Sequence, residues 1–292
     1  MNARALVEDF KVVVNRLQEP GSFDTGVTLS RAPRAFTCRE LWAGNERAHR
    51  SFELPGLDAD VIAVPCGEGS GGDLAAVFSC SNDIARVVLA DCAGHGCVAS
   101  GLARLIHRLL DKFRDIRDTE SFLAALNNDF TLNTEESAGL LRLTTVVTAA
   151  FDAATGEFNF AYAAHPRMFL RRARDSRFCE IGRCLQNFPL GYIAGEHYLQ
   201  RTIHLGVGDM ILAFSDGATE VESATGVQLT AEGFAELAGQ TLSEFSEPLP
   251  LSDFSQALLD SLHQYYGATD LEDDITLLTL RRSATWTGEE DD

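Results

Sequence analysis

No stretch of this 292-residue sequence approaches the roughly 18–20 apolar residues that a membrane-spanning helix needs. Met1 to Phe10 carry Arg4, Glu8 and Asp9 and no apolar core, so a secretory signal is not expected there. Cysteine spacing is equally uninformative. The seven cysteines are scattered, odd in number and without a Cys-x-x-Cys pair. A disulfide framework is therefore not expected, and a reducing compartment fits best. His-Glu-x-x-His, a Cys/His cluster and a phosphate-binding P-loop are all missing, which leaves no rival metal or phosphate motif. Basic charge is scarce: 24 Lys plus Arg against 43 Asp plus Glu leave a net charge of −19. Such a field repels nucleic acid and anionic membranes and suits cations, although solubility alone accounts for most of it. The expectation is a soluble cytoplasmic protein with no nucleic-acid or membrane partner.

What is present is a globular composition, 45% hydrophobic, enough for one large domain or two small ones. Residues 1–20 read as a short helix ended by Pro20-Gly21, and 21–56 as a polar, irregular lead-in. From residue 57 short apolar runs recur between turn residues: Val61–Val64, Leu74–Phe78 and Val87–Ala90. These read as strands. The period then changes. Val98, Leu102, Leu105, Ile106, Leu109, Phe113 and Ile116 mark one face of a helix over 98–116. A second helix carries Phe122, Leu123, Leu126 and Phe130, with Thr119 as its N-cap. Strands follow at Thr144–Phe151, Phe158–Ala163, Met168–Arg172, Tyr198–His204 and Met210–Phe214, the first two joined by a turn over 152–157. Helices near Ala231–Ala238 and Asp253–Tyr266, the latter stopped by Gly267, precede a last strand, Ile275–Leu280. Runs of strands with hairpins and no regular βαβ alternation imply an antiparallel α+β protein with helices covering sheets.

Four places set Asp beside Gly or Asp at a strand end: Gly71-Gly72-Asp73, Asp91-Cys92-Ala93-Gly94-His95-Gly96, Ser215-Asp216-Gly217 and Asp273-Asp274. Any one of them is ordinarily a turn or a helix cap. As a set they differ, because four acidic strand ends in one antiparallel fold can converge. Carboxylates gathered without basic partners repel one another unless cations neutralise them. Oxygen-only ligands select hard ions, Mg²⁺ or Mn²⁺.

These runs, with Ser215-Asp216-Gly217-Ala218-Thr219-Glu220 and Asp273-Asp274-Ile275-Thr276 in that order, resemble the SpoIIE-like branch of the protein phosphatase 2C (PPM) superfamily. Leu54-Pro55-Gly56, Ala164-His165-Pro166, Pro189-Leu190-Gly191 and Gly208-Asp209 agree with it. The resemblance covers residues 54–281 and divides the chain into a lead-in, 1–53, a phosphatase domain, 54–281, and an acidic tail, 282–292. It implies two antiparallel sheets packed face to face and flanked by helices, and a binuclear Mn²⁺/Mg²⁺ centre. Asp91 would bridge the ions with the Cys92 carbonyl as a further ligand. Asp216 and Asp273 would bind one ion and Asp73 the other, with Asp274 an alternative to Asp273. The implied reaction is hydrolysis of phosphoserine or phosphothreonine on a protein by a metal-bridging hydroxide, with no cysteine nucleophile. His95 would protonate the leaving oxygen or hydrogen-bond its own loop. The implied substrate is a partner-switching regulator such as an anti-sigma-factor antagonist.

Three departures stand against the pattern. Leu74-Ala75-Ala76-Val77 replaces aromatic residues and a second Asp after Asp73, Arg167 replaces the second proline of Gly-His-Pro-Pro and Ala164 its glycine, and Cys92-Ala93 replaces Val-Ser. None removes a primary ligand. The rival readings are a non-catalytic pseudophosphatase that docks a phosphoprotein and a hydrolase of small phosphoesters.

Overall fold

The computed structural model describes residues 35–67, 69–94, 96–134, 142–185, 187–245, 249–267 and 271–284. The helix expected over 1–20, His95 and most of the acidic tail lie outside these residues. The elements in chain order are β1 (Cys38–Glu46), β2 (Ala48–Leu54), β3 (Leu57–Val64), β4 (Ser70–Cys80), β5 (Ile84–Cys92), α1 (Gly96–Phe113), α2 (Thr119–Thr134), β6 (Thr144–Asp152), β7 (Glu157–Ala163), β8 (Phe169–Arg171), β9 (Cys179–Glu180), β10 (Gln200–His204), β11 (Met210–Phe214), α3 (Gly217–Glu220), α4 (Thr230–Ser243), α5 (Leu251–Tyr266) and β12 (Ile275–Arg282).

The strands form two six-stranded sheets, in the orders β1-β4-β5-β6-β7-β10 and β2-β3-β12-β11-β8-β9. Every strand pairing is antiparallel. Side chains alternate between faces along each strand, and here both faces are covered. On β4, Ala75 and Val77 enter the core between the sheets, while Leu74, Ala76 and Phe78 pack with α1 and α2 residues such as Leu102, Ile106 and Phe122. On β11, Ile211 and Ala213 face the first sheet, while Met210, Leu212 and Phe214 pack with Phe234 of α4 and Phe254 and Leu258 of α5. The result is four layers, helix, sheet, sheet, helix. Burial on both faces explains why the central strands read as continuous apolar runs.

Three expectations need correction. Residues 38–54 are not irregular. They form β1 and β2, one edge strand of each sheet, and the compact unit begins at Phe36. Their polar pattern is that of strands with a half-exposed face. The N-cap of α2 is Asp118, whose Oδ2 accepts the Ser121 N–H at 2.8 Å, and Thr119 is already helical. Cysteines do pair once: Cys38 and Cys80 stand opposite one another on β1 and β4 and form a disulfide. Their separation of 42 residues carries no spacing signal, since strand register alone brings them together. The expectation of a reducing compartment loses that support.

Gly267 ends α5 as expected, with φ 58° and its N–H donated to the His263 carbonyl at 3.0 Å. Among the described residues no helix is long and apolar enough to cross a membrane.

Candidate active site

The first sheet brings two aspartates together by register. Asp73 on β4 stands opposite Asp91 on β5, and Asp91 stands opposite Thr145 on β6. The second sheet does the same with neighbouring strand ends. Asp216 follows β11, Asp273 and Asp274 precede β12, and these two strands pair from Phe214 opposite Leu277 outward. Ser215 locks the two ends. Its N–H donates to the Thr276 carbonyl at 3.1 Å, its Oγ accepts the Thr276 N–H at 2.9 Å, and its hydroxyl donates to the Asp274 carbonyl at 3.2 Å.

Asp274 joins the sheets. Its Oδ1 accepts the Cys66 N–H at 2.8 Å, and its Oδ2 accepts the N–H groups of Gly72 at 2.6 Å and Asp73 at 3.3 Å. This contact explains two of the glycines. A Cβ on Gly71 would collide with the Asp274 carboxylate, and one on Gly217 would collide with the Asp274 carbonyl. The neighbouring carboxylates therefore differ. Asp274 is 7% exposed with both oxygens engaged, while Asp273 is exposed and its Oδ1 accepts only the Asp274 N–H at 2.8 Å.

Repulsion dominates the electrostatics. Burial, then the charge of Asp91, pushes Asp73 well above the ordinary carboxylate range. The Ser215 and Thr276 hydroxyls pull the other way without reversing the shift. Burial, then Asp216, Asp273, Asp274 and Glu220, pushes Asp91 up to about 7. Asp216 is raised by burial and Glu220, and Asp273 by burial, Asp216 and Asp274. Among the described residues no arginine, lysine or histidine forms an ion pair with any of them. Glu220 was not singled out by sequence. It lies one helical turn after Asp216, in α3, and that i, i+4 spacing was the available signal.

Among the described residues no three His, Cys, Asp or Glu side chains stand together as a ready ion site. The donor set nevertheless fits a hard divalent cation. It is all oxygen, it is mutually repulsive, and Asp73 Oδ2 is buried with no hydrogen-bond partner. Cys92 can offer only its carbonyl, which lies 2.9 Å from where a Cβ on Gly72 would stand. Its thiol is buried on the helix-facing side of the sheet and is pushed up to about 12 by that burial.

One Cys-x₅-Arg spacing does occur, Cys80 to Arg86. It is no phosphate cradle. Cys80 is disulfide-bonded, and Arg86 is fully buried, donating to the Arg114 and Arg117 carbonyls at 3.1 and 2.7 Å.

A cavity of about 290 Å³ opens beside Asp273 and Gly217, with Glu220, Val221, Tyr266 and Leu271 in its walls. The larger groove, about 990 Å³, runs between the β8–β9 segment and α4 and contains none of the site aspartates.

Two packed antiparallel sheets, flanked by helices and carrying acidic strand ends at one edge, define a protein phosphatase 2C-type architecture. Residues 81–283 match the family of Stage II sporulation protein E (SpoIIE), and the chain belongs to that family. It is 28% identical over 228 residues to the phosphoserine phosphatase RsbU of Bacillus subtilis (strain 168), covering 77% of this chain and 63% of that protein. It is similar in structure to the RsbU and RsbW domains of a Mycobacterium tuberculosis protein, with TM-score 0.67, 24% identity, and 83% of this chain and 64% of that one covered. A further likeness is to the catalytic domain of the serine threonine protein phosphatase PstP in complex with two manganese ions, with TM-score 0.54, 17% identity, and 77% and 97% covered. The chain thus spans under two thirds of the first two relatives. At these identities the structural likenesses show the fold.

Proposed function

We propose that this chain is a metal-dependent protein phosphatase that hydrolyses phosphoserine or phosphothreonine on a protein. The observation that carries the reading is Asp73 in register with Asp91 on one sheet, with the charges of Asp216 and Asp273 from the other sheet acting on Asp91 and with Asp73 Oδ2 buried and unpartnered. Asp73, Asp91, Asp216 and Asp273 are the proposed ligands, with the Cys92 carbonyl. Asp274, engaged by three backbone N–H groups, is proposed to hold the Asp73 loop in place instead. Two Mn²⁺ or Mg²⁺ ions, when bound, supply a hydroxide nucleophile and screen the phosphoryl charge.

The protein's own residues set the rest. Carboxylates that repel one another also repel a phosphate dianion, so substrate binding depends on the cation load they hold. Asp216 and Asp273, drawn together by the Ser215–Thr276 lock, fix one side of the site. Asp73 and Asp91 fix the other. His95, which precedes α1 in the sequence, is the proposed proton donor to the leaving serine or threonine oxygen. Likeness to RsbU supports a phosphorylated partner-switching regulator as substrate, such as an anti-sigma-factor antagonist.

The test is hydrolysis of p-nitrophenyl phosphate and phosphoserine peptides with and without Mn²⁺. Turnover is expected only with Mn²⁺, and Asp216→Asn is expected to reduce it to background. Turnover without a divalent cation, or unchanged in that variant, sinks the mechanism. Tight Mn²⁺ binding with no turnover on any phosphopeptide makes the chain a module that docks a phosphoprotein.

A further inference from the structure

The chain crosses from the first sheet to the second between β7 and β8, through Ala164-His165-Pro166-Arg167-Met168. His165 is 5% exposed. Its Nδ1 lies 2.8 Å from the Thr145 hydroxyl, and its Nε2 is buried with no hydrogen-bond partner. Thr145 is the residue directly opposite Asp91. The Phe214 backbone, the lesser influence, favours the ring's protonated form. Burial nevertheless dominates and holds the ring down to about 3, so it is neutral at physiological pH.

The backbone is bent to place this ring. Ala164 has φ 56°, a left-handed conformation that costs a residue with a Cβ about 1 kcal/mol and persists only where surroundings impose it. The same residue bridges Val146, next to Thr145 on β6. A buried imidazole thus braces the strand that faces Asp91, one side of the candidate site.

We propose that His165 is a positioning residue, a buried imidazole that fixes Thr145 on β6, the residue opposite Asp91, and so sets the placement of Asp91 for the cation. This rests on the proposed metal-dependent reading of Asp91. His165 touches no substrate. It acts through Thr145.

The test is calorimetric titration of the full chain with Mn²⁺ alone, at a temperature where circular dichroism shows each variant folded. Thr145→Val removes only the hydroxyl and is expected to weaken Mn²⁺ binding about tenfold, the scale of lost outer-sphere support at metal sites. Thr145→Ser is expected to restore it. His165→Leu is expected to match Thr145→Val, His165→Asn to recover most of the loss, and the Thr145→Val/His165→Leu pair to be no worse than either single variant. Should His165→Leu fail to fold, the two Thr145 variants carry the test. Wild-type affinity in Thr145→Val, an equal loss in Thr145→Ser, or losses that add in the pair overturn the proposal while leaving the metal reading intact. A wild-type chain that binds no Mn²⁺ overturns both.

Discussion

Asp273 and Asp274 are adjacent in sequence and opposite in circumstance. Asp274 turns inward and accepts three backbone N–H groups from the Cys66 and Gly72–Asp73 segments. Asp273 turns out toward Gly217 and the acidic cavity. The sequence left the choice between them open, because period and propensity say nothing about which of two consecutive carboxylates finds donors across a sheet boundary. Their proposed roles separate on substitution. Asp274→Ala leaves buried donors unsatisfied and is expected to destabilise the metal-free chain by about 2–4 kcal/mol in urea denaturation. Asp273→Ala is expected to leave metal-free stability within about 0.5 kcal/mol while weakening Mn²⁺ binding measured calorimetrically. The reverse pattern would make Asp274 the ligand. Asp73 and Asp91 were legible as candidates, but their pairing was not, since it depends on the register of β4 against β5.

At the scale of elements, the start of β4 is shaped by what lies against it. Gly71 has no room for a Cβ because the Asp274 carboxylate occupies that space. Gly71→Ala is therefore expected to cost about 1–3 kcal/mol through overpacking. Combined with Asp274→Ala, the cost should fall short of the sum, since the second change removes the obstacle. Additive losses in a double-mutant cycle would show that the glycine is needed for some other reason. The long helices and central strands could be read from period, as α1, α2, β6 and β11 were. The elements that escaped were β1, β2, β9 and α3. The first two present a mixed polar face, and the last two, of two and four residues, are too short for any period to register.

For the whole molecule, the excess of acid over base concentrates its consequence at the site. Burial and its acidic neighbours raise folded Asp91 to about 7, against an ordinary value of about 3.9 when unfolded. The folded state then binds a proton more tightly than the unfolded state. Its contribution to stability is present below about pH 4 and is lost as pH rises through about 7. Metal-free Asp91→Asn is expected to lack that slope and to be more stable than wild type at pH 8. Adding Mn²⁺ is expected to close much of that gap, since a ligand at a hundred times its dissociation constant adds about 2.7 kcal/mol to the wild type alone. The gain should shrink at pH 6, where protons compete for the same oxygens. A wild-type chain equally stable without Mn²⁺ at pH 5 and 8, and indifferent to Mn²⁺, would contradict the proposed role of Asp91.

By itself the sequence determined the class, antiparallel strands with covering helices, because apolar period and turn residues are local properties that survive reading one residue at a time. It determined the candidate aspartates too, because Gly-Gly-Asp, Asp-x-x-Gly-His-Gly, Ser-Asp-Gly and Asp-Asp are local runs. Only the tertiary structure decided that Asp73 meets Asp91, that Asp274 braces the first motif, that Cys38 meets Cys80, and that His165 meets Thr145. Each of these depends on strand register or on a crossing between sheets. A shift of one residue in either would turn every one of those side chains to another face.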